Sequence, residues 1–98
     1  MWILQGSGPE TDLLTFRVSP GAVKTIGRAP RADFIVDAAL VSRLHCRIEA
    51  GDSDIEVVDL SSTNGTYVND RKIARAKLGA GDRLRVGRVE LTLERQAD

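Results

Sequence analysis

Arg83-Leu84-Arg85-Val86-Gly87-Arg88-Val89-Glu90-Leu91-Thr92-Leu93-Glu94 is the stretch that decides the fold class. Leu84 and Val86 alternate with Arg83 and Arg85, and Val89, Leu91 and Leu93 alternate with Glu90, Thr92 and Glu94. Successive side chains of a β-strand point to opposite faces, so each run turns an apolar face inward and a polar face outward. Gly87 stands where the two runs need a tight reversal. No helical spacing accounts for this stretch.

The same period recurs toward the N-terminus. Leu14, Phe16 and Val18 alternate with Thr15 and Arg17, and Cys46 and Ile48 alternate with His45, Arg47 and Glu49. Trp2 to Leu4 and Ile55 to Val58 read as further strands. Breakers fall between them at Gly6-Ser7-Gly8-Pro9, Pro20-Gly21, Gly51-Asp52, Asn64-Gly65, Asn69-Asp70 and Gly79-Ala80-Gly81-Asp82. Turn signals spaced about every 8–12 positions mark a sandwich or barrel. The longest irregular stretch runs from Gly27 to Arg43, interrupted by a short strand at Phe34 to Val36. Ala38 to Leu44 has room for one helical turn at most. The expectation is a single all-β domain over residues 1–98, a sandwich of two twisted sheets with its functional residues in loops.

Composition narrows the function classes. Of the 98 residues, 42% are hydrophobic and 29% charged, as in ordinary globular proteins. The formal net charge is zero, so the basic footprint of a nucleic-acid binder is missing. One cysteine, Cys46, excludes an internal disulfide and fits a reducing compartment. That cysteine and the one histidine, His45, are too few for an ordinary His/Cys zinc site, and no cofactor is expected. No apolar run reaches the roughly 18 residues of a membrane span, and Met1 to Gly8 lacks the features of a signal peptide. The expected location is the cytoplasm.

Three polar clusters interrupt the strands: Gly27-Arg28, Ser42-Arg43-Leu44-His45, and Ser61-Ser62-Thr63-Asn64-Gly65-Thr66. Each has a plain reading. Ser42 beside His45 fits a loop cap next to a structural histidine, and Asn64-Gly65 alone is a hairpin signal. Ser42, His45 and Asp59 also supply the residue types of a hydrolytic triad, but no glycine-flanked nucleophile motif accompanies them. No glycine-rich loop opens a helix, which argues against a nucleotide site. The chain reads as a non-enzyme.

Order and spacing say more than any one cluster. Thr25-Ile26-Gly27-Arg28 is followed by Asp33-Phe34-Ile35-Val36 and by Ser42-Arg43-Leu44-His45. Asp59-Leu60-Ser61-Ser62-Thr63-Asn64-Gly65-Thr66-Tyr67-Val68-Asn69 comes next, and then Leu78 to Gly87. This series closely resembles the forkhead-associated (FHA) domain family. The resemblance implies about eleven short strands with binding loops at one end, and recognition of phosphothreonine in a partner protein, the product of a Ser/Thr kinase. It implies that Arg28, Ser42 and Arg43 contact the phosphate, that Thr63 closes the pocket and that Asn64 holds the peptide backbone. It gives Gly27, His45, Gly65 and Asn69 the role of supporting the binding loops. A phosphate dianion offers three acceptor oxygens, which arginine and hydroxyl donors suit.

A second expectation stands beside this one. Arg71, Lys72, Arg75, Lys77, Arg83, Arg85 and Arg88 form a basic run with Asp82 as its one acid between Arg71 and Arg88. Such a run is ordinarily a solvated face. It also offers a surface through which an FHA-like scaffold would hold a partner without phosphate.

Overall fold

The alternating apolar positions become the inner faces of two sheets. The computed structural model describes residues 1–97, and these form no helix and eleven strands. In chain order they are β1 (Trp2–Ser7), β2 (Leu14–Val18), β3 (Val23–Gly27), β4 (Phe34–Ile35), β5 (Cys46–Ala50) and β6 (Ile55–Asp59). There follow β7 (Thr66–Val68), β8 (Arg71–Ile73), β9 (Arg75–Leu78), β10 (Arg83–Val86) and β11 (Val89–Arg95). One sheet has the order β2-β1-β11-β10-β7-β8 and the other β4-β3-β5-β6-β9. The described residues include no helix long and apolar enough to cross a membrane.

Between the sheets lies a continuous apolar core. Trp2, Leu4, Leu84, Val86, Val89, Leu91 and Leu93 of the first sheet are no more than 2% exposed. Ile26, Cys46, Ile48, Ile55, Val57 and Leu78 of the second are buried as fully. Each large aliphatic side chain so buried contributes about 1.5–3 kcal/mol. The Trp2 indole N–H finds a partner in the Gly51 carbonyl at 2.9 Å, so its polar edge adds no penalty. Phe16 and Phe34 stack at 4.6 Å between centroids, closing the sandwich where the edge strands β2 and β4 face each other.

The structure departs from the sequence reading at several places. The strand expected at Phe34 to Val36 ends at Ile35, although Val36 is still buried and bonded to the Gly27 carbonyl. Ala38 to Leu44 makes turns and no helix. Asn64-Gly65 is not a hairpin: β6 and β7 lie in different sheets, and these residues carry the chain across. The two-residue hairpins are Asn69-Asp70, both at positive φ (49° and 69°), and Gly87-Arg88, with Gly87 at 58°. Turns of this kind match the right-handed twist of their strands.

The basic run from Arg71 to Arg88 does not form one surface. Arg71, Lys72, Arg83 and Arg85 belong to the first sheet and Arg75 and Lys77 to the second. Arg75 is paired with Glu56 at 2.9 Å, and Arg83 lies 3.3 Å from Asp70 and 3.8 Å from Glu90.

Candidate functional site

Three loops meet at one end of the sandwich: the chain between β3 and β4, the chain between β4 and β5, and the crossover between β6 and β7. Backbone hydrogen bonds tie the first two together. The Arg28 N–H donates to the Ser42 carbonyl at 3.0 Å, and the Ala29 N–H to the Arg43 carbonyl at 3.1 Å. Only glycine permits this approach at position 27. A Cβ there would sit 2.0 Å from the Arg43 carbonyl oxygen, far inside contact distance.

His45 locks the third loop to the second. Its ring is completely buried. Nδ1 accepts the Ser42 N–H at 3.0 Å, so Nε2 carries the proton and donates to the Gly65 carbonyl at 2.8 Å. Period two had placed His45 on the outer face with Arg47 and Glu49. It lies inside because β5 begins one residue later, at Cys46, and the crossover passes over the ring. Gly65 holds φ at 88°, which directs its carbonyl to that ring without the cost a side chain would meet.

Ser42 and Asn64 complete the bracing. The Ser42 hydroxyl oxygen accepts the Thr63 N–H at 3.0 Å, leaving its own proton free for an acceptor in the depression. Asn64 Nδ2 donates to the Leu40 carbonyl at 3.2 Å, and its exposed carboxamide oxygen keeps its acceptor capacity. Leu40 sits at φ 69°, an uncommon conformation for a branched side chain, with 45% of its surface exposed.

Asp59 is a supporting residue whose part was missed from sequence. Its carboxylate accepts the hydroxyls of Ser62 and Thr66 and the Ser62 N–H, pinning both feet of the crossover. Partial burial pushes this carboxyl up, but the Ser62 hydroxyl, the Thr66 hydroxyl and the Ser62 N–H together outweigh it and hold it below 3.8. Asp59-Leu60-Ser61-Ser62 carried a readable signal, since an Asp three residues before a Ser commonly closes a turn with its side chain.

Arg28, Ser42, Arg43, Thr63 and Asn64 all border one open depression of about 540 Å³, with Leu40 and Val41 on its apolar side. Arg28 and Arg43 are both exposed, and among the described residues neither has a carboxylate within ion-pair distance. Two guanidiniums and a hydroxyl donor lining one hollow have the donor chemistry that a multivalent oxyanion requires. Gly27, His45 and Gly65 lie directly behind it. Asn69 does not. It stands at the opposite end of β7, where it accepts the Arg83 N–H at 2.9 Å and donates to Asp82 at 3.1 Å. Those bonds hold the β7–β8 turn to the β9–β10 loop, away from the depression.

The triad reading has no geometric basis. Both His45 nitrogens are taken by backbone groups, and the Asp59 oxygens by Ser62 and Thr66. The Cys46 thiol is buried and driven up to about 12, chiefly by that burial, so it offers no nucleophile either.

The FHA domain family model matches residues 24–87. GarA, the glycogen accumulation regulator of Mycobacterium tuberculosis, is 32% identical over 97 residues. That match takes in 90% of this chain, which spans 60% of GarA's length. The crystal structure of the FhaA FHA domain, complexed with the intracellular domain of Rv3910, is similar with a TM-score of 0.84 and 31% identity. It is covered completely, and 96% of this chain takes part. EmbR of Mycobacterium tuberculosis, solved with a low-affinity phosphopeptide, is similar over 98% of this chain and 25% of its own, with a TM-score of 0.77 and 26% identity.

Proposed function

The chain belongs to the FHA domain family, and from that premise we propose that it is a non-catalytic module that binds phosphothreonine in a partner protein. The observation that carries this reading is the convergence of Arg28, Ser42, Arg43, Thr63 and Asn64 on one open depression. We assign the phosphate to Arg28, Arg43 and the free hydroxyl proton of Ser42. Each charge-assisted hydrogen bond contributes about 1.5–3 kcal/mol net, so three donors suffice to make binding depend on phosphate. Thr63 forms the wall beside the phosphorylated side chain. The Asn64 carboxamide holds the peptide backbone with the same group that now braces Leu40. The partner is a kinase product, and the whole of 1–98 acts as one binding unit.

The test is a map of the contact. Titrating isotope-labelled protein with a peptide pool of fixed phosphothreonine and randomised flanks should shift the amides of residues 28, 42, 43, 63 and 64 first. Shifts confined to the other end of the sandwich, around Asn69 and Asp82, would overturn the assignment.

A further inference from the structure

The cations between Arg71 and Arg88 divide into paired and unpaired ones, and two of the unpaired ones lie next to the binding loops. Lys72 stands opposite Tyr67 in the β7–β8 pairing, and Tyr67 opposite Arg85 in the β7–β10 pairing. Thr66, Val68, Leu84 and Val86 are buried in the core, so Tyr67, Lys72 and Arg85 share the outer face of the first sheet. The Arg85 guanidinium lies over the Tyr67 ring, 4.1 Å from its centroid. That stack fixes the direction of a long side chain that otherwise rotates freely.

Lys72 lies close to the binding loops by another contact. A Cβ added to Gly65 would meet Cε of Lys72 at 2.9 Å, and Cδ and Cγ at 3.4 Å. The aliphatic stem of Lys72 therefore covers Gly65, and its ammonium emerges beside the turn that carries Thr63 and Asn64. Asp70 and Glu90 both lie within ion-pair distance of Arg83, Glu90 stands opposite Arg85 in the β10–β11 pairing, and Glu94 lies farther along β11 on the same face. Neither Lys72 nor Arg85 has a carboxylate partner among the described residues.

We infer that Lys72 and Arg85 form a second recognition surface, one that selects a partner segment bearing acidic side chains beside the phosphothreonine. The inference rests on the phosphothreonine reading of the depression and extends it around the edge of the sheet. A ligand held at Asn64 passes Gly65, where the Lys72 ammonium is the first charge it meets. Arg85, across Tyr67, is the second. The two cations favour carboxylates over neutral side chains by charge, with Tyr67 between them.

The test uses phosphothreonine peptides carrying glutamate, or glutamine in its place, at successive positions on either side of the phosphorylated residue. Wild-type protein should bind the best-placed glutamate peptide about two- to five-fold tighter than its glutamine twin at low salt. That preference should shrink as salt screens it. Lys72→Met keeps the stem over Gly65 and removes the charge, and should abolish much of the preference. Lys72→Arg should retain it, which a purely structural role for the stem would not require. Arg85→Gln should weaken it, while Lys77→Gln, on the other sheet, should leave it intact. Binding of the glutamine peptides without any glutamate preference overturns this inference alone, as does a preference that survives both Lys72→Met and Arg85→Gln. Failure of every phosphothreonine peptide to bind overturns the depression's reading and this one with it.

Discussion

Replacing His45 with alanine is the sharpest way to separate what holds the site together from what touches the ligand. The imidazole is 0% exposed and serves two backbone groups, the Ser42 N–H and the Gly65 carbonyl. Alanine leaves both without a partner, at about 1–3 kcal/mol each when no water replaces the ring. A polar void of this size admits water, which lowers the combined cost to about 3 kcal/mol. A domain of this length loses about 4–8 °C of melting temperature per kcal/mol, so His45→Ala should melt at least about 10 °C lower. Binding should weaken as well, because Ser42 and the Thr63–Gly65 turn lose their common anchor. Gln at this position can serve one of the two backbone groups and should recover part of the loss. Calorimetric unfolding of the two variants beside Ser42→Ala checks this. An unchanged melting temperature for His45→Ala with phosphopeptide binding abolished would refute the reasoning and make His45 a direct ligand contact.

The other predictions concern single contributions. Arg28→Ala should weaken phosphopeptide binding about ten-fold or more, with little change in melting temperature, since an exposed loop arginine contributes little to stability; unchanged affinity in a folded variant would remove Arg28 from the phosphate site. Phosphothreonine peptides should bind better than phosphoserine twins, because one methyl group buried against the wall that Thr63 forms contributes up to about 0.8 kcal/mol; equal affinities by calorimetry would mean that phosphate alone is read. Asp59 has its carboxyl held below the ordinary value of 3.8, so its contribution is fully present above that pH and is lost as pH falls through the lower, folded value. Wild-type protein should therefore lose more stability than Asp59→Asn on going from about pH 5 to about pH 3, and parallel losses in the two proteins would show that Asp59 does not act in this way.

The sheets were legible because alternation is a local signal. Leu84, Val86, Val89, Leu91 and Leu93 are each in the core, as period two requires. The family was legible only through the order of the loop motifs along the chain. What stayed hidden depends on chains that meet in space. The family resemblance gave His45 a supporting role, but it continues the outward alternation of Arg47 and Glu49, and nothing local says that the β6–β7 crossover will close over it. Asn64-Gly65 carries a strong hairpin signal, yet the chain there changes sheets. Arg71 to Leu78 reads as one charged stretch because no glycine or proline marks Ala74, where the chain leaves β8 in one sheet for β9 in the other. Asn69 stands in sequence beside the loops of the depression, but β7 carries it to the far end of the sandwich.

The central claim is phosphate-dependent recognition at the depression between Arg28 and Asn64. Its most direct test is a calorimetric titration of the protein with one peptide in two forms, threonine and phosphothreonine. The peptide is the best binder from the randomised pool, and both forms are measured at the same ionic strength. Loss of the contacts to Arg28, Arg43 and Ser42 should cost at least about 3 kcal/mol, so the phosphorylated form should bind more than about a hundred-fold tighter. Equal affinity for the two forms would contradict the account.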